Sequence, residues 1–130
     1  MNELKKILCV EDDPDIRLIL EFSLARIGGY EIFCACSGME ALRVVSTFLP
    51  DLVLMDVMMP GLSGPETLSK LRELPVMKGV PVVFMTAKAM PHELTDLLDK
   101  GSVGVIVKPF DPVTLGRDIK PYWEHGRASC

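Results

Sequence analysis

The chain has 130 residues, of which 48% are hydrophobic and 25% charged, values typical of one globular domain and unlike disordered, collagen-like or coiled-coil chains. Fourteen basic against eighteen acidic residues give a net charge of −4 with no basic stripe, so direct nucleic-acid binding is not expected. The N terminus lacks a signal-peptide pattern, and no apolar run approaches the roughly 20 residues of a membrane span. We therefore expect a cytoplasmic domain without a membrane span.

The four cysteines lack the spacing and the neighbouring histidine of a zinc site. They stand at positions Cys9, Cys34, Cys36 and Cys130. Three of them lie inside apolar runs, so we expect small core residues in a reducing compartment, with Cys130 as a free terminal thiol.

Short apolar runs alternate with longer amphipathic stretches along the chain. Most of the runs are continuous rather than alternating, which is typical of parallel strands covered by helices on both faces. Five strands are predicted in this way: ILCV at 7–10, YEIFCA at 30–35, LVLM at 52–55, VPVVFM at 80–85 and VGVIV at 103–107.

Helix start and stop signals lie between these runs. The first helix is predicted to begin with Asp13 as its N-cap and Pro14 at its first position, and to stop at Gly28. Two further helices are predicted to begin at capping boxes, which are Ser37-Gly38-Met39-Glu40 and Ser63-Gly64-Pro65-Glu66.

The fourth helix is predicted from about Pro91 to Gly101. A fifth should open with Asp111 as its cap and Pro112 at its first position, and Pro121 should kink or stop it. Five β-α units joined by short connections predict an α/β fold, a doubly wound parallel sheet with helices on both faces. In such sheets ligands bind beyond the carboxyl ends of the strands.

Polar side chains follow four of the five predicted strands. They are the run Glu11, Asp12 and Asp13 after the first strand, Asp56 after the third, Thr86 after the fourth and Lys108 after the fifth. Because the carboxyl ends of parallel strands meet at one edge, we expect these groups to converge there. The carboxylates among these groups would repel one another unless a cation lay among them. An all-oxygen set without histidine favours Mg²⁺.

Each of these residues has a plain structural alternative. Asp12 and Asp13 could be a helix cap and a solvated neighbour, and Asp56 could be a turn residue. Thr86 is a good strand residue, and Lys108 could be a surface cation. Their joint placement at one edge of the sheet is the observation that favours a functional site.

Four linked motifs resemble the receiver domain of bacterial two-component response regulators, of the chemotaxis-regulator type. They are the acidic run after the first strand, LVLMDVMMPGLSG, FMTAK and VIVKPF. The resemblance covers residues from about 5 to 120 in order and spacing, and it implies a flavodoxin-like (βα)5 fold with strand order 2-1-3-4-5. We expect a receiver domain at 1–124 and a short tail at 125–130 without an output domain, either stand-alone or excised from a longer protein.

The resemblance also implies the chemistry of the site. Asp56 would be the phosphoacceptor, and Asp12 and Asp13 would bind Mg²⁺ together with Asp56 and the backbone carbonyl of Met58. The phosphoryl group would come from a sensor histidine kinase or a histidine phosphotransfer protein. Such a domain is a signalling module rather than an enzyme, although it assists its own phosphorylation and dephosphorylation.

The remaining motif residues would serve the phosphate and the switch. Lys108 would contact the phosphate, Thr86 would be the switch hydroxyl, and the Lys108–Pro109 peptide would be cis, which X-Pro bonds permit. Val105 stands where many receivers carry a switching aromatic residue, so we expect Thr86 to dominate the switch. A downstream protein would bind the face formed by the fourth helix, fifth strand and fifth helix.

Three other interpretations of the sequence differ from this one. A dehalogenase-type aspartyl phosphotransferase would need a second aspartate where Met58 stands, and flavin or dinucleotide binding would need a Gly-rich or hydroxyl-rich loop where the acidic run stands. A phosphorylation-independent interaction module with the same fold is the third possibility.

Overall fold

The structure, a computed structural model, describes residues 3–128, so the predicted terminal thiol of Cys130 lies outside the described residues. Its five parallel strands occur in the order β2-β1-β3-β4-β5, which confirms the predicted fold class and strand order. The strands are β1 (Lys6–Val10), β2 (Glu31–Ala35), β3 (Leu52–Asp56), β4 (Val82–Thr86) and β5 (Gly104–Val107).

The first four helices connect successive strands, the fifth follows β5, and together they cover both faces of the sheet. They are α1 (Pro14–Leu20), which continues as a π-helical segment (Glu21–Ile27), α2 (Gly38–Phe48), α3 (Gly64–Leu71), a short 3-10 turn (Pro75–Met77), α4 (Pro91–Asp99) and α5 (Leu115–Ala128). None of the helices within residues 3–128 is both long enough and apolar enough to cross a membrane.

The predicted caps form at two of the helix starts and partly at a third. Asp13 caps α1, and a reciprocal capping box between Ser63 and Glu66 opens α3. At α2, Ser37 accepts a hydrogen bond from the Glu40 backbone, but the Glu40 carboxylate accepts from the Cys36 backbone at 2.7 Å instead of closing the box. Each arrangement satisfies backbone N–H groups that a helix start leaves free.

The fifth helix begins later than predicted. The Asp111 side chain accepts a hydrogen bond from the Val113 backbone at 2.9 Å and its carbonyl accepts one from Leu115 at 3.0 Å, so Asp111 makes the predicted capping contacts, but around a turn at 112–114. Regular α-helix follows only from Leu115.

The prediction that Pro121 kinks or stops α5 is wrong as far as stopping is concerned, because the helix continues to Ala128. The predicted tail that starts at residue 125 is therefore helical over its described part. Pro in a helix interior costs about 3 kcal/mol, and burial of an apolar stripe on one face offsets that cost. The stripe consists of Leu115, Ile119 and Trp123, all less than 9% exposed.

Two apolar layers hold the sheet between the helices. One contains Leu8, Val53, Phe84 and residues from α2 and α3, and the other contains Ile7, Leu54, Met85 and residues from the first and last helices. Every residue of β3 and β4 is buried, which explains their continuous apolar runs. Cys9 is buried as expected, whereas Cys36 is exposed. The layers thus fix the carboxyl ends of the central strands, where the site lies.

Candidate functional site

The ends of β1, β3 and β5 bring a lysine between two acids. The Nζ atom of Lys108 lies 2.8 Å from an Oε atom of Glu11 and 3.0 Å from an Oδ atom of Asp56. Both carboxylates are buried, with Glu11 1% and Asp56 7% exposed. The parallel sheet produces this arrangement, because its strands end at the same edge.

Three carboxylates meet at this edge. Ligand atoms of Glu11, Asp12 and Asp56 all lie within 4.8 Å of one another. Lys108 supplies one positive charge against their three negative charges, so the cluster has a negative excess when all groups are ionised. A hard divalent cation such as Mg²⁺ suits this all-oxygen donor set, and these three side chains are the ones that could hold it.

Asp13 was expected among the metal ligands, but its side chain lies apart from the other carboxylates. Its carboxylate accepts a hydrogen bond from the Asp15 backbone at 2.8 Å and caps α1, and its side chain is exposed. It is absent from the carboxylate cluster found among the described residues. The acidic pair at the end of β1 is therefore Glu11 and Asp12. The signal was present in the sequence, since Asp13 precedes the helix-initiating Pro14 and a cap carboxylate already serves backbone N–H groups.

Burial and hydrogen bonding shape the charges at this site. Burial raises the pKa of Glu11 above its usual value, and hydrogen bonds from Lys108 and the Asp13 backbone oppose that rise only in part. Burial also disfavours the charged form of Lys108, but hydrogen bonds with Glu11 and Asp56 outweigh it and raise the pKa of Lys108. Lys108 therefore stays positively charged at neutral pH, beside the carboxylate of Asp56.

Arg17 of α1 stabilises the acidic loop, which is the segment 11–13 between β1 and α1. Its guanidinium donates hydrogen bonds of 2.9 Å to the backbone carbonyls of Glu11 and Asp12. These bonds fix the backbone that carries the two acids. Sequence reasoning missed this residue, because an arginine one turn into a helix carries no signal of what it contacts.

Thr86 ends β4 beside this cluster. Its side chain is buried, and its hydroxyl oxygen accepts a hydrogen bond of 3.0 Å from the Lys88 backbone. A cavity of about 330 Å³ next to it is also lined by His92 and Leu97 from α4. The hydroxyl is thus joined directly to the loop that precedes α4.

Three further features were named from the sequence, and two of them lie at this end of the sheet while Val105 lies in the middle of β5. Met58 lies in the loop after Asp56 with its side chain 65% exposed. The Lys108–Pro109 peptide is cis, the conformation that the family resemblance implied. Val105 pairs with Phe84 in the sheet and packs half-buried against the core.

Comparisons with known proteins agree with this geometry. The family model described as "Response regulator receiver domain" matches residues 7–120. The uncharacterized transcriptional regulatory protein YrkP of Bacillus subtilis is 44% identical over 110 residues, which cover 85% of this chain and 46% of YrkP. The chain thus spans about half the length of the first curated relatives it matches.

Solved structures give the same result. The chemotaxis response regulator CheY4 of Vibrio cholerae has 30% identity and a TM-score of 0.84, covering 92% of this chain and 99% of CheY4. The receiver domain of the sensor histidine kinase PA1611 from Pseudomonas aeruginosa, with a magnesium ion coordinated in its active-site cleft, has 27% identity and a TM-score of 0.81, covering 94% and 99%. Fold, motifs and family match thus agree, and the chain belongs to the response regulator receiver domain family.

Proposed function

We propose that this domain accepts a phosphoryl group on Asp56 from a histidine kinase or a histidine phosphotransfer protein, in a reaction that requires Mg²⁺. The observation that carries the proposal is the contact of Lys108 with Asp56 at 3.0 Å, beside a cluster of three carboxylates. In this arrangement the Asp56 carboxylate can attack the incoming phosphoryl group while Lys108 stabilises the negative charge on its oxygens.

The donor set supports a magnesium site. Glu11, Asp12 and Asp56 would hold Mg²⁺, with the backbone carbonyl of Met58 as a further oxygen ligand. Bound Mg²⁺ would supply positive charge to offset the charge on the phosphoryl oxygens. The buried carboxylates carry a charge excess that Lys108 alone does not balance, and a divalent cation would neutralise it.

The transfer step uses the side chains of the chain itself. An oxygen of the Asp56 carboxylate attacks phosphorus, the bond between phosphorus and the donor's histidine nitrogen breaks, and the electron pair returns to the imidazole. Lys108 donates hydrogen bonds to the phosphoryl oxygens as charge builds on them. Arg17 keeps Glu11 and Asp12 in position through their backbone carbonyls. The same groups would assist the later hydrolysis of the acyl phosphate.

Output would follow from the Thr86 hydroxyl. The aspartyl phosphate adds about −1.5 to −2 charges and strong acceptor oxygens, and the hydroxyl would turn toward them and leave the Lys88 backbone. The loop before α4 would then move, since that hydrogen bond holds it. We propose that a downstream protein binds the face formed by α4, β5 and α5. We also propose that the domain works in the cytoplasm, where histidine kinases carry their phosphohistidine.

Labelling with a small phosphodonor tests the proposal. The chain is incubated with phosphoramidate with and without Mg²⁺, and its intact mass is measured. We expect one phosphoryl group only with Mg²⁺, removed by hydroxylamine and absent in Asp56→Asn. Asp99→Asn, an exposed change on α4, is the matched control and should label like the wild type. Absence of label under every condition would instead support a phosphorylation-independent module.

A further inference from the structure

Two cysteines face each other across the first two strands. Cys9 of β1 and Cys34 of β2 are direct partners in the parallel register, and neighbouring strands lie about 4.8 Å apart. That spacing falls within the roughly 4.4–6.8 Å between Cα atoms that a disulfide bridges. Both side chains contribute to the same apolar layer, so they project from the same face of the sheet.

The two thiols already interact and differ in character. The hydrogen bond between them raises the pKa of Cys9, which is fully buried, and burial raises it further. The same hydrogen bond lowers the pKa of Cys34, and this effect outweighs the opposing effects of burial and of Glu21. Cys34 is only half-buried and belongs to the edge strand of the sheet. Solvent therefore reaches one thiol of the pair, and that thiol is the better nucleophile.

We propose that Cys9 and Cys34 form a redox modification site, which closes an intrachain disulfide on exposure to a small-molecule disulfide such as glutathione disulfide. The half-buried Cys34 is the attacking thiol, and the buried Cys9 is the resolving thiol. Neither residue belongs to the phosphorylation site.

The exchange balances in two steps. Cys34 loses its proton to solvent, attacks one sulfur of the glutathione disulfide and expels the first glutathione thiolate, which leaves a mixed disulfide. Cys9 then attacks the sulfur of Cys34 and expels the second glutathione thiolate, which takes up the proton of Cys9. The protein pair is oxidised by two electrons, and the glutathione disulfide is reduced to two thiols.

The pair is connected to the acidic loop through one residue. The Cys34 thiol donates a hydrogen bond to the Arg17 carbonyl at 3.9 Å, and the Arg17 guanidinium binds the carbonyls of Glu11 and Asp12. Oxidation removes the Cys34 donor, so closing the bridge changes the surroundings of α1 beside that loop.

Thiol counting tests the proposal in the full chain that carries Cys36→Ser and Cys130→Ser, which leaves only the pair. The folded protein is incubated with glutathione disulfide, and the reaction is quenched in acid. The protein is then unfolded and treated with N-ethylmaleimide, which alkylates free thiols, and its intact mass is measured. We expect a monomer that has lost two hydrogen atoms and takes up no maleimide, and dithiothreitol should restore both thiols. Two maleimide additions, a persistent glutathione adduct or a covalent dimer would overturn the proposal.

Single variants of the pair separate the two roles. Cys9→Ala should stop at one glutathione adduct on Cys34, because the resolving thiol is missing. Cys34→Ala should leave Cys9 unmodified while the protein is folded, since Cys9 is inaccessible. Peptide mapping of the oxidised protein needs no substitution in the pair, and it should find one cross-linked peptide that joins Cys9 to Cys34. Separate peptides carrying unlinked Cys9 and Cys34 would contradict the bridge.

Discussion

Lys108 and Glu11 form an ion pair of 2.8 Å, although 97 positions separate them in the chain. The Glu11 carboxylate is only 1% exposed. Lys108 also forms an ion pair with Asp56, with its Nζ atom 3.0 Å from an Oδ atom. Charges buried in this way are costly unless they are paired. Lys108 therefore links the acid pair at the end of β1 to the proposed phosphoacceptor.

The first prediction concerns which acids hold Mg²⁺. Glu11→Gln and Asp12→Asn should each weaken Mg²⁺ binding roughly tenfold or more, because each removes a charged oxygen ligand. Asp13→Ser should bind Mg²⁺ like the wild type, because its carboxylate caps α1. Titration calorimetry of the three variants measures this. Equal weakening in Asp13→Ser and Asp12→Asn would contradict the assignment.

Asp13 should instead matter for stability. Loss of the cap in Asp13→Ala should lower the free energy of unfolding by about 0.5–2 kcal/mol, whereas Asp13→Ser keeps a capping oxygen and should lose much less. Urea unfolding of both variants completes the comparison.

The second prediction concerns the switch. Thr86→Ala should accept phosphate on Asp56 at nearly the wild-type level but lose the response of the loop before α4. The variant lacks the hydroxyl that bonds to the Lys88 backbone and would turn toward the phosphate. Thr86→Ser retains the hydroxyl and is the matched control, and Val105→Ala should have a much smaller effect.

Hydrogen exchange with and without beryllofluoride measures that response. We expect the wild type and Thr86→Ser to change protection within residues 86–100, and Thr86→Ala to remain unchanged there. A wild-type response in Thr86→Ala, or changes that avoid this segment, would count against the mechanism.

The third prediction concerns the close packing behind Asp56. A Cβ atom added at Gly64 would lie 2.5 Å from the Asp56 backbone oxygen, so Gly64→Ala must displace the strand end or α3. Overpacking of this kind costs about 1–3 kcal/mol, and phosphorylation should slow as well. Gly116→Ala is the control, since its nearest neighbour is a Tyr30 ring atom at 3.3 Å. Equal unfolding free energies for the two variants would refute the prediction.

The fourth prediction is a pH dependence of stability. Hydrogen bonds from the Ser63 backbone and then its side chain lower the pKa of Glu66. Because the folded-state pKa lies below the unfolded value of about 4.3, the stabilisation is fully present above that value and is lost as the pH falls through the folded pKa. Glu66→Gln keeps a neutral acceptor at every pH, so the stability advantage of the wild type should shrink in acid. Urea unfolding between about pH 6 and pH 3 tests this, and a constant difference would argue against it.

Much of the site could be predicted from the sequence, because apolar runs indicate where each strand ends and parallel strands end at the same edge of the sheet. That rule places Asp56, Thr86 and Lys108 at one edge before any contact is known. The order of the strands needed the family resemblance as well, and the structure agrees with it.

Details that depend on side-chain direction could not be predicted in the same way. The Glu11 backbone still bonds to Ala35 as the chain leaves β1, and its side chain turns inward while that of Asp13 turns to the helix start. Likewise, local propensity predicted an interruption at Pro121, but burial of the apolar stripe of α5 outweighs it. Local capping decides the direction of Asp13, whereas tertiary packing decides the length of α5.

The most direct test of the central claim is to locate the phosphoryl group chemically. The chain is phosphorylated with phosphoramidate and Mg²⁺, and the acyl phosphate is reduced with borohydride, which converts a phosphorylated aspartate to homoserine. Peptide mass spectrometry then identifies the position. The account predicts homoserine at position 56 alone. Homoserine at Asp12, Asp13 or Asp51, with position 56 still aspartate, would contradict it.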